Sequence, residues 1–209
     1  MNEIRKEIME DELEDAICRN EIAKVKKLLK NGVNINNTRN ISGDTPLFCA
    51  IKAKNVEMVN FLIEHGADVN YQMPHGYSAL SIASSVSSWG NEEIVELLLE
   101  KGLDVNKQDG FGCTPLFDAT HYLNLAIVEV LLDKGADINI KNNSGNSVLS
   151  ELCNSEELHP LPQKLVLIQV FLDAGADWNK ESVLRAAQKN DRILDILEEH
   201  LTKKYHKID

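Results

Sequence analysis

One six-residue phrase returns along this chain at nearly constant spacing, and that recurrence restricts the fold more than any other feature. Gly43-Asp44-Thr45-Pro46-Leu47-Phe48 comes back as Gly76-Tyr77-Ser78-Ala79-Leu80-Ser81, as Gly112-Cys113-Thr114-Pro115-Leu116-Phe117 and as Gly145-Asn146-Ser147-Val148-Leu149-Ser150. The four glycines are separated by 33, 36 and 33 residues. A second phrase keeps the same rhythm: Gly66-Ala67-Asp68-Val69-Asn70, Gly102-Leu103-Asp104-Val105-Asn106, Gly135-Ala136-Asp137-Ile138-Asn139 and Gly175-Ala176-Asp177-Trp178-Asn179, with a degraded first copy at Gly32-Val33-Asn34-Ile35-Asn36. A period of this size marks a stack of supersecondary units, none of which buries its apolar face alone.

The chemistry inside each period is that of two short helices. Thr45 and Thr114 precede Pro46 and Pro115. A threonine hydroxyl can satisfy a free backbone N–H at a helix start, and proline is tolerated at the first helical position because its missing N–H has no partner there. Gly66, Gly102, Gly135 and Gly175 follow the second helix, where a left-handed residue ends it. A segment such as Ile94-Val95-Glu96-Leu97-Leu98-Leu99 is too short to be helical alone, so it is expected to hold only by stacking on its neighbours.

Taken together, these phrases resemble the ankyrin repeat: a turn, a Thr-Pro-Leu helix start, a second helix ending in Leu-Leu, then Gly-Ala-Asp-Val-Asn. The resemblance covers roughly residues 9–200 and implies an all-α ankyrin-repeat solenoid. Four central repeats are expected at 41–73, 74–109, 110–142 and 143–179. A capping repeat at 9–40 precedes them, a capping pair at 180–201 follows, and 202–209 is a tail. The closing pair points Leu184, Ala187, Ile193, Ile196 and Leu197 inward, and Lys203–Asp209 is expected to fray. The basic run Lys24, Lys26, Lys27 and Lys30 is read as the solvated face of the first cap. The family's usual histidine after Thr-Pro-Leu is replaced by Phe48, Ser81, Phe117 and Ser150, which implies a less regular, less stable array. Asn70 and Asn106 resemble the asparagines hydroxylated in animal ankyrin repeats; they also suit a turn-capping role.

Two periods carry extra residues, placed between the two helices of a repeat: one insertion within residues 84–90, the other within 154–162. Insertions in repeat arrays fall on one face, often the binding face. Trp89 in the first is a candidate interface anchor.

Bulk properties narrow the function. The chain is 43% hydrophobic and 26% charged, ordinary for a folded domain of this length. No apolar run approaches the roughly 20 residues that span a bilayer, and the acid-rich N-terminus is unlike a cleaved leader, so a cytoplasmic protein is expected with no membrane partner. The net charge of −11 argues against nucleic acid and fits a basic protein. Cys18, Cys49, Cys113 and Cys153 lie far apart with no C-x-x-C spacing, and are read as free thiols buried as small hydrophobes. The six histidines show no metal spacing, and Gly110-Phe111-Gly112 is a repeat turn rather than a phosphate loop. No catalytic residue, metal site or cofactor is expected, and the chain is read as a monomeric non-enzyme.

The resemblance implies a concave face built from turns and first helices, with the motif's variable positions as contacts. Carried over residue by residue, these are Ile41, Ser42, Asp44 and Lys52; His75, Tyr77 and Ser85; Phe111, Cys113, His121 and Tyr122; and Asn143 and Asn146. Tyr77, Phe111 and Tyr122 would bring three aromatic groups to one face, where rigid rings contribute large area at low entropy cost. Two functions follow. The first is a binding module that inhibits one basic protein, as an immunity protein does. The second is an adaptor, scaffold or secreted effector that binds several host proteins.

Overall fold

The computed structural model describes residues 3–36, 43–85, 91–154, 161–178 and 191–205. Helix α1 (Glu3–Cys18) pairs with α2 (Ile22–Lys30), α3 (Pro46–Lys52) with α4 (Val56–Glu64), and α5 (Ala79–Ser85) with α6 (Glu92–Glu100). Next come α7 (Pro115–His121) with α8 (Leu125–Asp133), α9 (Val148–Asn154) with α10 (Leu161–Asp173), and α11 (Asp191–Tyr205) against α10. The first helices α1, α3, α5, α7 and α9 stack in chain order as one layer. The second helices α4, α6 and α8 stack behind them as another. The expected all-α repeat solenoid is what the chain forms.

The repeated leucines explain the stacking. Leu47, Leu80, Leu116 and Leu149 of the first layer, and Leu62, Leu98 and Leu131 of the second, are buried. Burying one leucine contributes roughly 1.5–3 kcal/mol, and each sits at the same register as its neighbours, so every repeat completes the core of the next.

The helix starts are capped, though not always by the threonine. Thr45 Oγ1 accepts from the Phe48 N–H, while Thr114 occupies the equivalent position and makes no side-chain cap bond. Ser78 and Ser147 take the role in their repeats, accepting from Ser81 N–H and Ser150 N–H. In the second helices Asn55 and Asn124 accept from Met58 N–H and Ile127 N–H.

Several finer expectations are modified. Cys49 and Cys153 are buried as expected, but Cys18 is exposed and Cys113 is half-buried, because they sit at the end of α1 and on a turn rather than on an apolar helix face. Helix α11 runs to Tyr205, past the start of the expected tail at Lys203. Its Ile193 and Leu197 are buried and Ile196 packs against the core, while Leu184 and Ala187 lie outside the described residues. Helices α5 and α6 are bounded by Ser85 and Glu92, and α9 and α10 by Asn154 and Leu161, so both insertions do fall between the two helices of a repeat. Among the described residues no helix is long and apolar enough to cross a membrane.

Candidate binding groove

The turns that join consecutive repeats project as fingers beside the first-helix layer, and adjacent fingers are locked by backbone contact. Gly110 N–H donates to the His75 carbonyl at 2.6 Å, and Asn143 N–H donates to the Phe111 carbonyl at 2.9 Å. Asn143 Nδ2 adds a bond to the Gly110 carbonyl. Glycine is needed for this approach. A Cβ on Gly112, whose φ is +78°, would stand 2.6 Å from Asn143 Oδ1 and 2.7 Å from Asn143 N.

The locking arranges the aromatic side chains. The His75 ring stacks on Phe111 at 5.7 Å between centroids, and Tyr77 meets the same ring at 6.4 Å. Phe111 is nonetheless 52% exposed. At the end of α7, His121 and Tyr122 meet edge to face at 5.1 Å, and Tyr122 is 45% exposed.

Between these groups lies an open groove of about 400 Å³, bordered by Tyr77, Phe111, His121, Asp109, Asp118 and Glu151, with Val148 and Leu152 among its apolar lining. Asp118 is its most unusual member. Its Oδ2 atom is buried and has no hydrogen-bond partner among the described residues. Burial, reinforced by the negative charge of Asp109, pushes its carboxyl up to about 7, against the opposing effect of a hydrogen bond with Ser81. An unsatisfied buried acceptor is destabilising by roughly 1–3 kcal/mol, which marks the position as more than packing.

The other carboxylates here are engaged. Asp109 Oδ1 accepts from Phe111 N–H and Cys113 N–H, and Glu151 Oε2 accepts from Asn142 Nδ2. Burial is also the main cause that pushes the Cys113 thiol up to about 12, so it is not a thiolate near neutral pH.

The expected contact residues divide by position. Tyr77, Phe111, His121 and Asn143 come together along the groove, with His75 stacked on Phe111 and Tyr122 beside His121. Asn146 stands on the same finger as Asn143, its N–H and carbonyl both bonded to Asn142. Asp44 is buried, with its carboxylate 2.6 Å from Lys52 Nζ; that pair supports the first finger, and only Lys52 reaches solvent. Ser85 turns its hydroxyl to the Ile82 carbonyl of its own helix. Trp89, Ile41 and Ser42 lie outside the described residues. Asp118, Asp109 and Glu151 were not among the expected contacts. One signal for Asp118 exists in the sequence: it occupies the register of Cys49 and Ile82, one place after the Phe or Ser of the phrase.

A different set of side chains joins repeats at the opposite end of each period. Asn36 Oδ1 accepts from Asp68 N–H while its Nδ2 donates to the Gly66 carbonyl. Asn106 repeats this with Asp137 and Gly135, and Asn139 Oδ1 accepts from Asp177 N–H. At Asn70 the described residues show only the local bond from its N–H to Asp68.

The family model described as ankyrin repeats (3 copies) matches residues 13–109 and 85–142, more than half of the chain. The chain belongs to the ankyrin-repeat family. Ankyrin repeats generally mediate protein–protein interaction and are generally non-catalytic. Among curated proteins, the chain is 39% identical over 64 residues to ankyrin repeat and SOCS box protein 11 of Mus musculus, covering 31% of this chain and 19% of that protein. It is 33% identical over 78 residues to the mouse 2-5A-dependent ribonuclease, covering 36% and 11%. Identity to the putative ankyrin repeat protein FPV240 of fowlpox virus is 39% over 62 residues, covering 30% and 15%. The ankyrin chain thus spans less than a fifth of each of these relatives, and the likeness to the ribonuclease is confined to repeats. Among the described residues no group of three or more His, Cys, Asp or Glu is arranged to hold a metal ion.

Proposed function

We propose that this ankyrin-repeat chain grips a basic partner protein on its concave, finger-bearing face and acts as an inhibitor or immunity-type protein. The observation that carries the reading is the exposure of Phe111 and Tyr122 beside His75, Tyr77 and three carboxylates. Large rigid rings next to fixed charge are the composition of an interface hot spot. The net charge of −11 supports a basic partner, since complementary charge speeds encounter. The reading carries with it a monomeric, cytoplasmic protein, which light scattering and cell fractionation check.

The test is tagged co-purification from lysate of the native organism at low and high salt, repeated with a Phe111→Ala/Tyr122→Ala double variant. One stoichiometric basic protein, captured less as salt rises and at least tenfold less by the double variant at an unchanged melting temperature, is the expected result (hot-spot truncations cost about 2 kcal/mol or more). Equal capture by wild type and variant refutes the groove as the interface.

One feature favours the second reading, an adaptor. Glu57, Glu93, Glu96 and Glu100 border a shallow depression on the second-helix layer, away from the fingers. Several substoichiometric partners, some retained by the double variant, would support that role.

A further inference from the structure

The groove between the third and fourth fingers combines features that select among basic partners. It has carboxylates from three elements: Asp109 from the finger, Asp118 from α7 and Glu151 from α9. Among the described residues no lysine or arginine borders it. Among the described residues the buried Oδ2 of Asp118 has no donor, so a donor brought by a ligand could serve it. Phe111, whose ring stacks with His75, is 52% exposed as a residue and borders the groove with these acids. Val148 and Leu152 offer an apolar strip along the groove.

A guanidinium on an aliphatic stem meets each of these requirements. Its methylenes suit the apolar strip, its planar head can lie on an aromatic face, and its five donors can serve carboxylates on more than one side. An ammonium offers the charge without the plane or the fork. Asp118 is pushed up first by burial and then by Asp109, and a cation in the groove would offset the second of these.

We propose that this groove receives a single arginine side chain of the partner, with the guanidinium against Phe111 and hydrogen-bonded to Asp118. The proposal rests on the reading that the finger-bearing face binds protein, and it names the chemistry of that partner's anchor.

The test is a ¹⁵N–¹H NMR titration of the whole chain with three capped tripeptides, glycine–X–glycine, where X is arginine, lysine or citrulline. Citrulline keeps the shape of arginine and removes its charge. The arginine peptide is expected to saturate in the millimolar range and to shift amides of residues 109–122 and 142–152. Citrulline and lysine peptides should bind at least about tenfold more weakly, a difference that charge and geometry readily supply. Asp118→Asn should weaken the arginine peptide about tenfold and leave the citrulline peptide unchanged, with the rest of the spectrum preserved. Lysine binding as tightly as arginine overturns the guanidinium assignment. Equal titration by citrulline, shifts confined to the second-helix layer, or no saturable shift overturns the groove as a cation site. Partner capture that persists when the peptide fails leaves the protein-binding reading standing without the arginine pocket. Peptide binding with no protein captured leaves the pocket and removes the reading of the chain as an inhibitor.

Discussion

Replacing Asp118 with asparagine should make the protein more stable above about pH 7, with the gain growing as pH rises from about 4 to about 7 and constant beyond. The carboxyl titrates near 3.8 when solvated and at about 7 in the fold, where burial and then Asp109 disfavour its charged form. The folded chain therefore binds a proton here that the unfolded chain has already lost. Stability falls as pH rises wherever the folded state holds more protons, so the loss runs from about pH 4 to about pH 7 and then levels off. Each pKa unit corresponds to about 1.36 kcal/mol, so ionisation of Asp118 is destabilising by up to about 4 kcal/mol above pH 7. Between about pH 5 and pH 8 the wild type should lose about 2.7 kcal/mol on this account, two units below the folded value. Asparagine mimics the neutral acid and should escape that loss. Urea unfolding of wild type and Asp118→Asn at both pH values isolates the effect, because all other titrations cancel in the difference. Two proteins whose stabilities change in parallel would refute both the burial of the charge and the role of Asp109.

Two further predictions concern the joints between repeats. Asn106→Ala removes both bonds to the following repeat and should destabilise by roughly 1–3 kcal/mol, whereas Asn70→Ala, which lacks such bonds, should stay within about 0.5 kcal/mol; equal losses in denaturant unfolding would show that the staple contributes nothing. Gly112→Ala places a methyl against the Asn143 backbone at a left-handed position and should cost more than about 2 kcal/mol. Gly135→Ala, also left-handed but with nothing near its Cβ, should cost only about 1–2 kcal/mol, so a Gly112 variant no worse than the Gly135 variant would contradict the tight finger contact.

The repeat, the fold class and several helix ends were legible because each rests on local chemistry repeated in phase. Pro46 and Pro115 open helices, Gly66, Gly102, Gly135 and Gly175 adopt positive φ beyond the second helices, and both insertions separate two helices of one repeat. Even so, local chemistry overstated Thr114, whose hydroxyl makes no cap bond, and it could not tell which cysteine would face solvent.

The binding face was legible only as a set of positions. Periodicity assigned Asp44, Tyr77, Cys113 and Asn146 to one register, yet Asp44 is buried against Lys52 while Tyr77 borders the groove. Asp44 meets Lys52 of its own repeat while Tyr77 meets Phe111 of the next, and a period read along one chain does not say which partner a position will find. The same is true of Asp118. Its sequence position is an ordinary first-helix site; its pKa is raised because stacking buries the carboxyl and the finger sets Asp109 nearby, against the lowering effect of a hydrogen bond with Ser81 of the preceding repeat. What the sequence by itself determined was therefore the repeating unit, since caps, prolines and glycines act within a few residues. What only the tertiary structure decided was the groove, since burial and electrostatics depend on side chains that come from different repeats and meet when those repeats stack.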